Sequence, residues 1–244
     1  ADGGPSIQGT IEGALRQMTG EEASIVGSGR TDSGVHAVGQ VAHFVLRKKE
    51  WDTTILHRGL NSILPQDIQV LGIRPVAHEF HAQRSAEKKQ YSYYFQQGPC
   101  AVPHLEPYSW WIKKRLNQEA LAEALSYLQG VHDFKPFQAA GAKPGPTVRS
   151  ILEAEVRREP IAFPMTTPLA ENKAEFIRIR LLGTGFLKQM VRGIAGTLLQ
   201  IGEGRRDPAC IREILRSGIR SEVGPTAPAR ALWLERVWYS GLDW

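Results

Sequence analysis

Residues 27–41 read GSGRTDSGVHAVGQV. This stretch connects two short apolar segments, 23–27 and 40–46, and overlaps the end of the first and the start of the second. Glycine removes the steric limits on the backbone, so a glycine-rich loop can come unusually close to a ligand. The flanking segments have the composition of buried strands. The stretch therefore presents Arg30 and Asp32 on a permissive loop between two predicted strands.

The loop does not match the common glycine-rich motifs. A dinucleotide fingerprint would need glycine where Asp32 stands, and a phosphate-binding P-loop would need a terminal G-K-[ST]. A nucleophile elbow around Ser33 would need glycines at the positions of Thr31 and Val35. What remains is an arginine two residues before an aspartate. On the pattern alone, the favoured interpretation is a surface loop with an Arg–Asp ion pair worth under about 1 kcal/mol.

Length and composition restrict the class of protein. The chain has 244 residues, 42% hydrophobic and 23% charged, which suits one large domain or two small halves sharing a core. No apolar run reaches the length needed to span a bilayer. Cys100 and Cys210 form no C-x-x-C pair and the histidines no H-E-x-x-H motif, so we predict no disulfide scaffold and no metal. A reducing cytoplasm fits this cysteine usage.

The positive charge is modest but clustered. The net charge is +5 and the isoelectric point is about 9.3. Basic residues group at 47–49, 88–89, 113–115, 157–158 and 205–206. One such group is usually a solvated face, whereas five on one chain favour a polyanionic partner.

Hydrophobic spacing predicts alternating helices and strands. Helices are predicted over 6–18, 53–64 and 187–201, and after Asn117 and Asp207. Strands are predicted over 23–27, 40–46, 68–76, 89–97, 108–112, 148–157, 175–182 and 231–239.

The order of these elements predicts an α+β fold of two split β-α-β (ferredoxin-like) halves. The proline-rich segment 98–107 is the best boundary, which gives a catalytic-loop half at 1–103 and a C-terminal half at 104–244. The first half matches the second only if a leading strand precedes its first helix. We therefore expect the native chain to carry such a strand, because the sheet would otherwise expose an unpaired edge.

A family resemblance extends along most of the chain. Residues 29–41, GRTDSGVHAVGQV, closely resemble the catalytic signature of the tRNA pseudouridine synthases of the TruA type. Four further segments resemble that family in order and spacing: SIQGTIEGAL at 6–15, LNSILPQDIQV at 60–70, FHAQRSAEKKQYSYYF at 80–95 and GFLKQMVRGIAGTLLQIG at 185–202.

The resemblance implies specific roles. Asp32 matches the family's nucleophile, Arg30 the arginine two before it, Tyr91 the tyrosine that stacks on the target base, and Arg192 the basic partner of the aspartate. It also implies a central, mainly antiparallel sheet with a basic cleft between the halves. It further implies a homodimer that needs neither cofactor nor metal. The implied reaction converts uridine to pseudouridine at positions 38–40 of the tRNA anticodon arm.

The chemistry asks for the same residue types. A carboxylate can detach uracil by attacking C6 of the base or C1′ of the sugar, and a nearby arginine favours its charged form. An aromatic ring can hold the flipped base, with stacking worth roughly 1–3 kcal/mol. On pattern alone Tyr91 is interpreted as core, since it shares a strand face with Tyr93 and Phe95, and the resemblance reverses this interpretation. Arg192 lies in an apolar helix register and needs a partner, for which we predict Asp32.

Two further residues and two rival functions stay open. His36 and Gln40 either contact the RNA or cap the turn, and we take them as candidate substrate-binding residues. One rival function is a non-catalytic tRNA-binding protein. The other is a carboxylate-dependent hydrolase of glycosidic bonds, which usually needs two acidic residues where the loop supplies one.

Overall fold

A computed structural model of the chain describes residues 6–161 and 174–242. They form two compact units. The smaller unit contains residues up to Arg30 together with Val41–Ala86, and the larger contains Thr31–Gln40 and the residues from Glu87 onward. Residues 1–5, next to which a leading strand would join, lie outside the described part.

The helices and strands follow the chain in this order: α1 Ile7–Thr19, β1 Val26–Gly27, β2 His36–Ala37, β3 Ala42–His43, α2 Thr53–Ile63, β4 Ala86–Gln97, β5 Trp110–Ile112, α3 Gln118–Ser126, β6 Gly130–Asp133, β7 Val148–Pro160, β8 Glu175–Gly183, α4 Met190–Gly202, α5 Cys210–Ser217 and β9 Leu232–Tyr239. In these described residues, no helix is long and apolar enough to cross a membrane.

Local capping defines the two helices of the smaller unit. The Ser6 hydroxyl accepts a hydrogen bond from the Gly9 amide at the start of α1, and Gly20 ends that helix in the left-handed conformation at φ 70°. The Asp52 carboxylate accepts hydrogen bonds from Thr54 and Ile55 at the start of α2. Both helices confirm the sequence prediction to within a residue or two. Their apolar faces pack against each other and against Ile25 and Phe44, which flank β1 and β3. These two strands pair antiparallel.

The strand predicted over 68–76 is wrong: the segment is irregular, and side chains bond the backbone N–H and C=O of Val70. The side-chain Oδ1 of Asn61 accepts a hydrogen bond from the backbone N–H of Val70 at 2.8 Å, and its Nδ2 donates to the Val70 carbonyl at 2.8 Å. The His57 ring donates to the same carbonyl at 2.7 Å. Ile68, Val70 and Ile73 still pack against the small core. The alternating pattern therefore reports burial of an irregular segment rather than a strand.

The larger unit is built on one sheet with the strand order β2-β9-β4-β8-β7-β6, and β5 pairs with β4 off this path. The β4–β8, β8–β7 and β7–β6 pairs are antiparallel, and the β2–β9 and β4–β5 pairs are parallel. The predicted α+β fold with a mainly antiparallel sheet is confirmed. The sequence patterns did not predict β2 and β6, which have two and four residues.

The compact units do not follow the predicted division between residues 103 and 104. Strand β4 belongs to the larger unit because it is in continuous register with β8, from Lys89 opposite Gly183 to Gln97 opposite Glu175. Its Tyr93 and Phe95 side chains are fully buried in the core under α3, α4 and α5. The division into halves stays a prediction about the sequence pattern.

Candidate active site

The Asp32 loop ends in a tight turn that leads into the large sheet. The Val35 amide donates to the Asp32 carbonyl at 3.0 Å, and Gly34 adopts φ 80° inside this turn. A side chain at the third position of such a turn would be strained, which explains why glycine stands there. Strand β2 follows directly and pairs parallel with β9, with His36 opposite Trp233. The turn thereby fixes Asp32 to the frame of the larger unit.

Arg192 forms an ion pair with Asp32 from the first turn of α4. Its Nη1 lies 2.8 Å from Oδ2 of Asp32, and its Nε donates to the Ala227 carbonyl at 2.8 Å. The side chains are 15% and 27% exposed, respectively. The predicted contact between these two residues is confirmed. Because two separate acceptors hold the guanidinium, it is fixed in orientation as well as position.

The backbone of α4 is held by an unusually close contact. A Cβ atom on Gly196 would lie 1.6 Å from the Pro225 carbonyl oxygen, so only glycine permits this approach. The Thr197 hydroxyl accepts a hydrogen bond from the Gly224 amide at 3.0 Å, and the Ala227 amide donates to the Arg192 carbonyl at 3.1 Å. These contacts bring the Ala227 carbonyl to the guanidinium.

Tyr91 lies on β4 opposite Leu181 and is partly buried against the large core. Its ring meets the edge of the Phe186 ring, with centroids 5.0 Å apart and planes at 75°. Burial, reinforced by the negative charge of Asp32, raises the pKa of Tyr91 to about 12. The phenol is therefore neutral at physiological pH and lies within electrostatic range of the carboxylate.

The other predicted site residues are Arg30, His36 and Gln40, and their described contacts lie outside the Asp32–Arg192 pair. Arg30 belongs to the smaller unit and is exposed, and Gln40 is also exposed. The His36 ring stacks on Trp233 at 4.3 Å and donates to the Pro107 carbonyl at 2.9 Å. These contacts give His36 a packing role, and its contact with substrate stays a prediction, as does that of Gln40.

Sequence reasoning treated Lys89 only as part of a basic cluster. Lys89 stands two residues before Tyr91 on the same strand, so both side chains project to one face of β4. Burial lowers the pKa of its ammonium group. Its neighbour Lys88 instead lies over the Trp238 ring, 5.1 Å from the centroid. Because adjacent side chains on a strand point to opposite faces, the sequence could have assigned Lys88 and Lys89 to different faces of β4.

Together these groups place one carboxylate beside a fixed cation and a neutral phenol. Such an arrangement suits a nucleophile next to an aromatic platform. Within residues 6–161 and 174–242, no group of three His, Cys, Asp or Glu side chains is placed to hold a metal ion.

Known proteins resemble this chain over nearly all of its length. The family described as tRNA pseudouridine synthase matches residues 1–83 and 124–240. The tRNA pseudouridine synthase A of Moorella thermoacetica is 40% identical over 240 residues, covering 97% of this chain and 90% of the relative. That of Sinorhizobium fredii is 37% identical over 243 residues, covering 98% and 92%. That of Thermoanaerobacter pseudethanolicus is 36% identical over 234 residues, covering 96% and 90%.

The α+β fold with its mainly antiparallel sheet is consistent with the fold of the pseudouridine synthases, a class of isomerases. Within that class, the chain belongs to the tRNA pseudouridine synthase family.

Proposed function

We propose that this protein isomerises uridine to pseudouridine at positions 38–40 of the tRNA anticodon arm, with Asp32 as the nucleophile. The observation that carries the proposal is the 2.8 Å contact between Asp32 and Arg192, with Tyr91 beside it, in a chain of this family. Arg30 is proposed as a further site residue from its place in the loop.

Asp32 can start the reaction in two ways. Attack at C1′ expels uracil through N1, and the base then turns and rejoins C1′ through C5 as the carboxylate leaves. Attack at C6 instead forms a covalent adduct on the base. The N1–C1′ bond of the adduct then breaks, C5 bonds to C1′, and the carboxylate leaves C6. Either route ends with loss of the C5 proton and a proton on N1. In both, the hydrogen bond from Arg192 holds the carboxylate in a fixed orientation.

Tyr91 is proposed as the platform for the flipped base. Its ring is anchored on one side by Phe186 and the core, so stacking orders no additional flexible side chain. A neutral phenol also avoids repulsion between the ring and the RNA phosphates. Base–aromatic stacking is worth roughly 1–3 kcal/mol, which offsets part of the cost of unstacking the base.

The partners follow from charge and family. The basic clusters are proposed to contact tRNA phosphates, because neutralised phosphates release counterions. The enzyme is further proposed to act in the cytoplasm as a homodimer, without a cofactor. The relatives named above carry the tRNA substrate in their names, which supports the choice of RNA.

The test uses a tRNA transcript labelled with tritium at C5 of uridine. Pseudouridine formation replaces the C5–H bond by a C–C bond, so tritium should appear in water. Transcripts with cytidine at 38, 39 or 40 should release correspondingly less. Release of free uracil would favour the hydrolase, and tight binding without tritium release would favour the non-catalytic binding protein.

A further inference from the structure

The segment between β8 and α4, residues 184–189, borders the candidate active site, and we call it the β8–α4 connection. Its Phe186 ring meets the Tyr91 ring, with centroids 5.0 Å apart. The segment then leads directly into the first turn of α4, which carries Arg192. Groups that contact the β8–α4 connection therefore lie beside the ring that is proposed to hold the target base.

Arg149 on β7 packs against the β8–α4 connection. The Thr184 amide donates to the carbonyl of Ser150, the next residue after Arg149, at 3.0 Å. A Cβ atom built on Gly185 would lie 3.4 Å from Nε of Arg149. The guanidinium thus adjoins the residue that directly precedes Phe186 in the chain.

Two backbone carbonyls fix the orientation of this guanidinium. Nη1 of Arg149 donates to the Pro146 carbonyl at 2.9 Å and to the Val148 carbonyl at 2.7 Å. These bonds occupy Nη1 and leave the edge that is formed by Nε and Nη2. In the described part of the chain, no carboxylate forms an ion pair with Arg149. One edge of the guanidinium is therefore held by the protein, and the other is open to a ligand.

Glycine at position 185 keeps the Nε edge of Arg149 accessible. A Cβ atom there would be in van der Waals contact with Nε at 3.4 Å and with Cδ at 3.5 Å. A longer side chain would extend over the guanidinium. Gly185 does not adopt the left-handed conformation, so its backbone does not by itself require glycine. The space in front of Arg149 is a physical reason for glycine at this position.

Two lysines add positive charge at the same place. Lys188 lies in the β8–α4 connection and is exposed. Lys89 on β4 is opposite Gly183, the last residue of β8, and its side chain points to the same face of β4 as that of Tyr91. Together with Arg149, three cations adjoin the edge of the candidate site, and such a group attracts a polyanion.

The free edge of Arg149 specifies the chemistry of the ligand. Nε and Nη2 are two parallel donors that match two oxygens of one phosphate group. Phosphates are the anions of an RNA chain, and a base stacked on Tyr91 brings those of its own nucleotide and its neighbour to this edge. We propose that Arg149 binds a backbone phosphate flanking the target uridine through Nε and Nη2, with Lys188 adding charge. This inference rests on the proposed reaction and adds a contact outside the Asp32–Arg192 pair.

The test combines a neutral phosphate with a neutral side chain. A tRNA with a single uridine among positions 38–40 is assembled with a methylphosphonate in place of one phosphate that flanks this uridine. The preceding ribose is 2′-O-methylated to protect the linkage, and the reference tRNA carries the same methyl group with an ordinary phosphate. At one of the two flanking positions, the methylphosphonate should weaken binding to the wild type about tenfold. It should weaken binding to Arg149→Gln less than about twofold, because the partner of that phosphate is already lost.

Two further variants sharpen this test. Gly185→Leu places a side chain over the Nε edge while keeping Arg149, and it should also abolish the methylphosphonate effect. Arg16→Gln, at a site 64% exposed on α1, is the control and should lose as much affinity as the wild type. Thermal melting of each variant checks folding.

A purely structural Arg149 gives a different result. If it only held its own loop, Arg149→Gln would bind both tRNAs more weakly and the methylphosphonate effect would stay near tenfold. That outcome would overturn the inference. Wild-type binding that responds to the methylphosphonate at neither flanking position would overturn it as well.

The tritium assay on the wild type separates this inference from the proposed reaction. Tritium release without coupling between Arg149 and a flanking phosphate would refute the phosphate contact while supporting the reaction. Coupling without tritium release would support the phosphate contact and refute the reaction.

Discussion

At the scale of single residues, the candidate site depends on a contact between positions 160 residues apart in the sequence. An arginine on an otherwise apolar helix face is costly to bury unless its donors are satisfied. Asp32 and the Ala227 carbonyl satisfy donors of Arg192 directly. The pair should therefore contribute to folding as well as to catalysis.

Arg192→Ala should lower both activity and stability. The pair retains some exposure, so we expect a loss of about 1–3 kcal/mol, below the roughly 3–5 kcal/mol for breaking a fully buried pair. Chemical denaturation measures this loss, and the tritium assay measures the activity. Arg16→Ala, which breaks a surface pair with Glu22, should cost less than about 1 kcal/mol. Equal losses in the two variants would contradict the assigned role of Arg192.

Tyr91 should make the free energy of unfolding depend on pH in the alkaline range. Its pKa is raised from 10.0 to about 12 in the folded chain, so the unfolded chain loses the phenolic proton first. Its stabilisation is complete below pH 10 and is lost as the pH rises towards 12. Tyr91→Phe should remove about 2 kcal/mol of that pH dependence. The measurement is urea unfolding from pH 9 to 12, and identical slopes in both proteins would exclude the shift.

The sequence indicated candidate side chains of the site more readily than the backbone groups that hold them. Asp32, Tyr91 and Arg192 could be named because the chemistry and the family resemblance specify residue types. The Ala227 carbonyl could not, because any residue carries one and only the fold brings it to the guanidinium. The His36 ring packs on Trp233, a contact that depends on a two-residue strand with no periodic signal.

At the scale of elements, the helices were predicted well and the short strands poorly. Helix ends are set by local groups such as Ser6 and Asp52, which a sequence displays directly. A two- or four-residue strand exists only through its partner, as β2 does beside β9. The segment around Val70 was wrongly predicted to be a strand. Its alternating pattern does not show that the Asn61 side chain bonds the Val70 backbone.

Helix α4 should not tolerate a side chain at Gly196. A Cβ there would meet the Pro225 carbonyl at 1.6 Å, so Gly196→Ala must displace backbone and should cost more than about 3 kcal/mol. The same change at Gly13 in α1 meets nothing within 4 Å and should instead stabilise by about 1 kcal/mol. Thermal unfolding compares the two. A tolerated Gly196→Ala would mean that α4 and the 224–227 segment are not in this contact.

At the scale of the whole molecule, the α+β class followed from the order of elements, and the mainly antiparallel sheet followed from the family resemblance. The compact units did not, because β4 joins the larger unit through its long register with β8. The sequence pattern indicates candidates for the longer strands, whereas sheet order depends on contacts far apart in the chain.

RNA binding should depend strongly on salt through the basic clusters. Arg47, Lys48 and Lys49 are exposed in the smaller unit, and the buried Glu21 carboxylate accepts from the backbone amides of the first two. Each phosphate contact contributes roughly 0.7–0.9 to the slope of log affinity against log salt. Changing all three to alanine should flatten that slope. Arg16→Gln is the control, and an unchanged slope in the triple variant would place the RNA elsewhere.

The most direct test of the account is single-turnover pseudouridine formation by Asp32→Asn, with tRNA binding measured in parallel. Asparagine keeps the size of the side chain but loses its charge and nucleophilicity. If Asp32 attacks the nucleotide, the rate should fall by several orders of magnitude, at about 1.4 kcal/mol for each factor of ten. Affinity for tRNA should change little, because phosphate contacts and stacking hold the RNA. Substantial turnover by a folded, tRNA-binding Asp32→Asn protein would show that Asp32 is a structural partner of Arg192 and not the nucleophile.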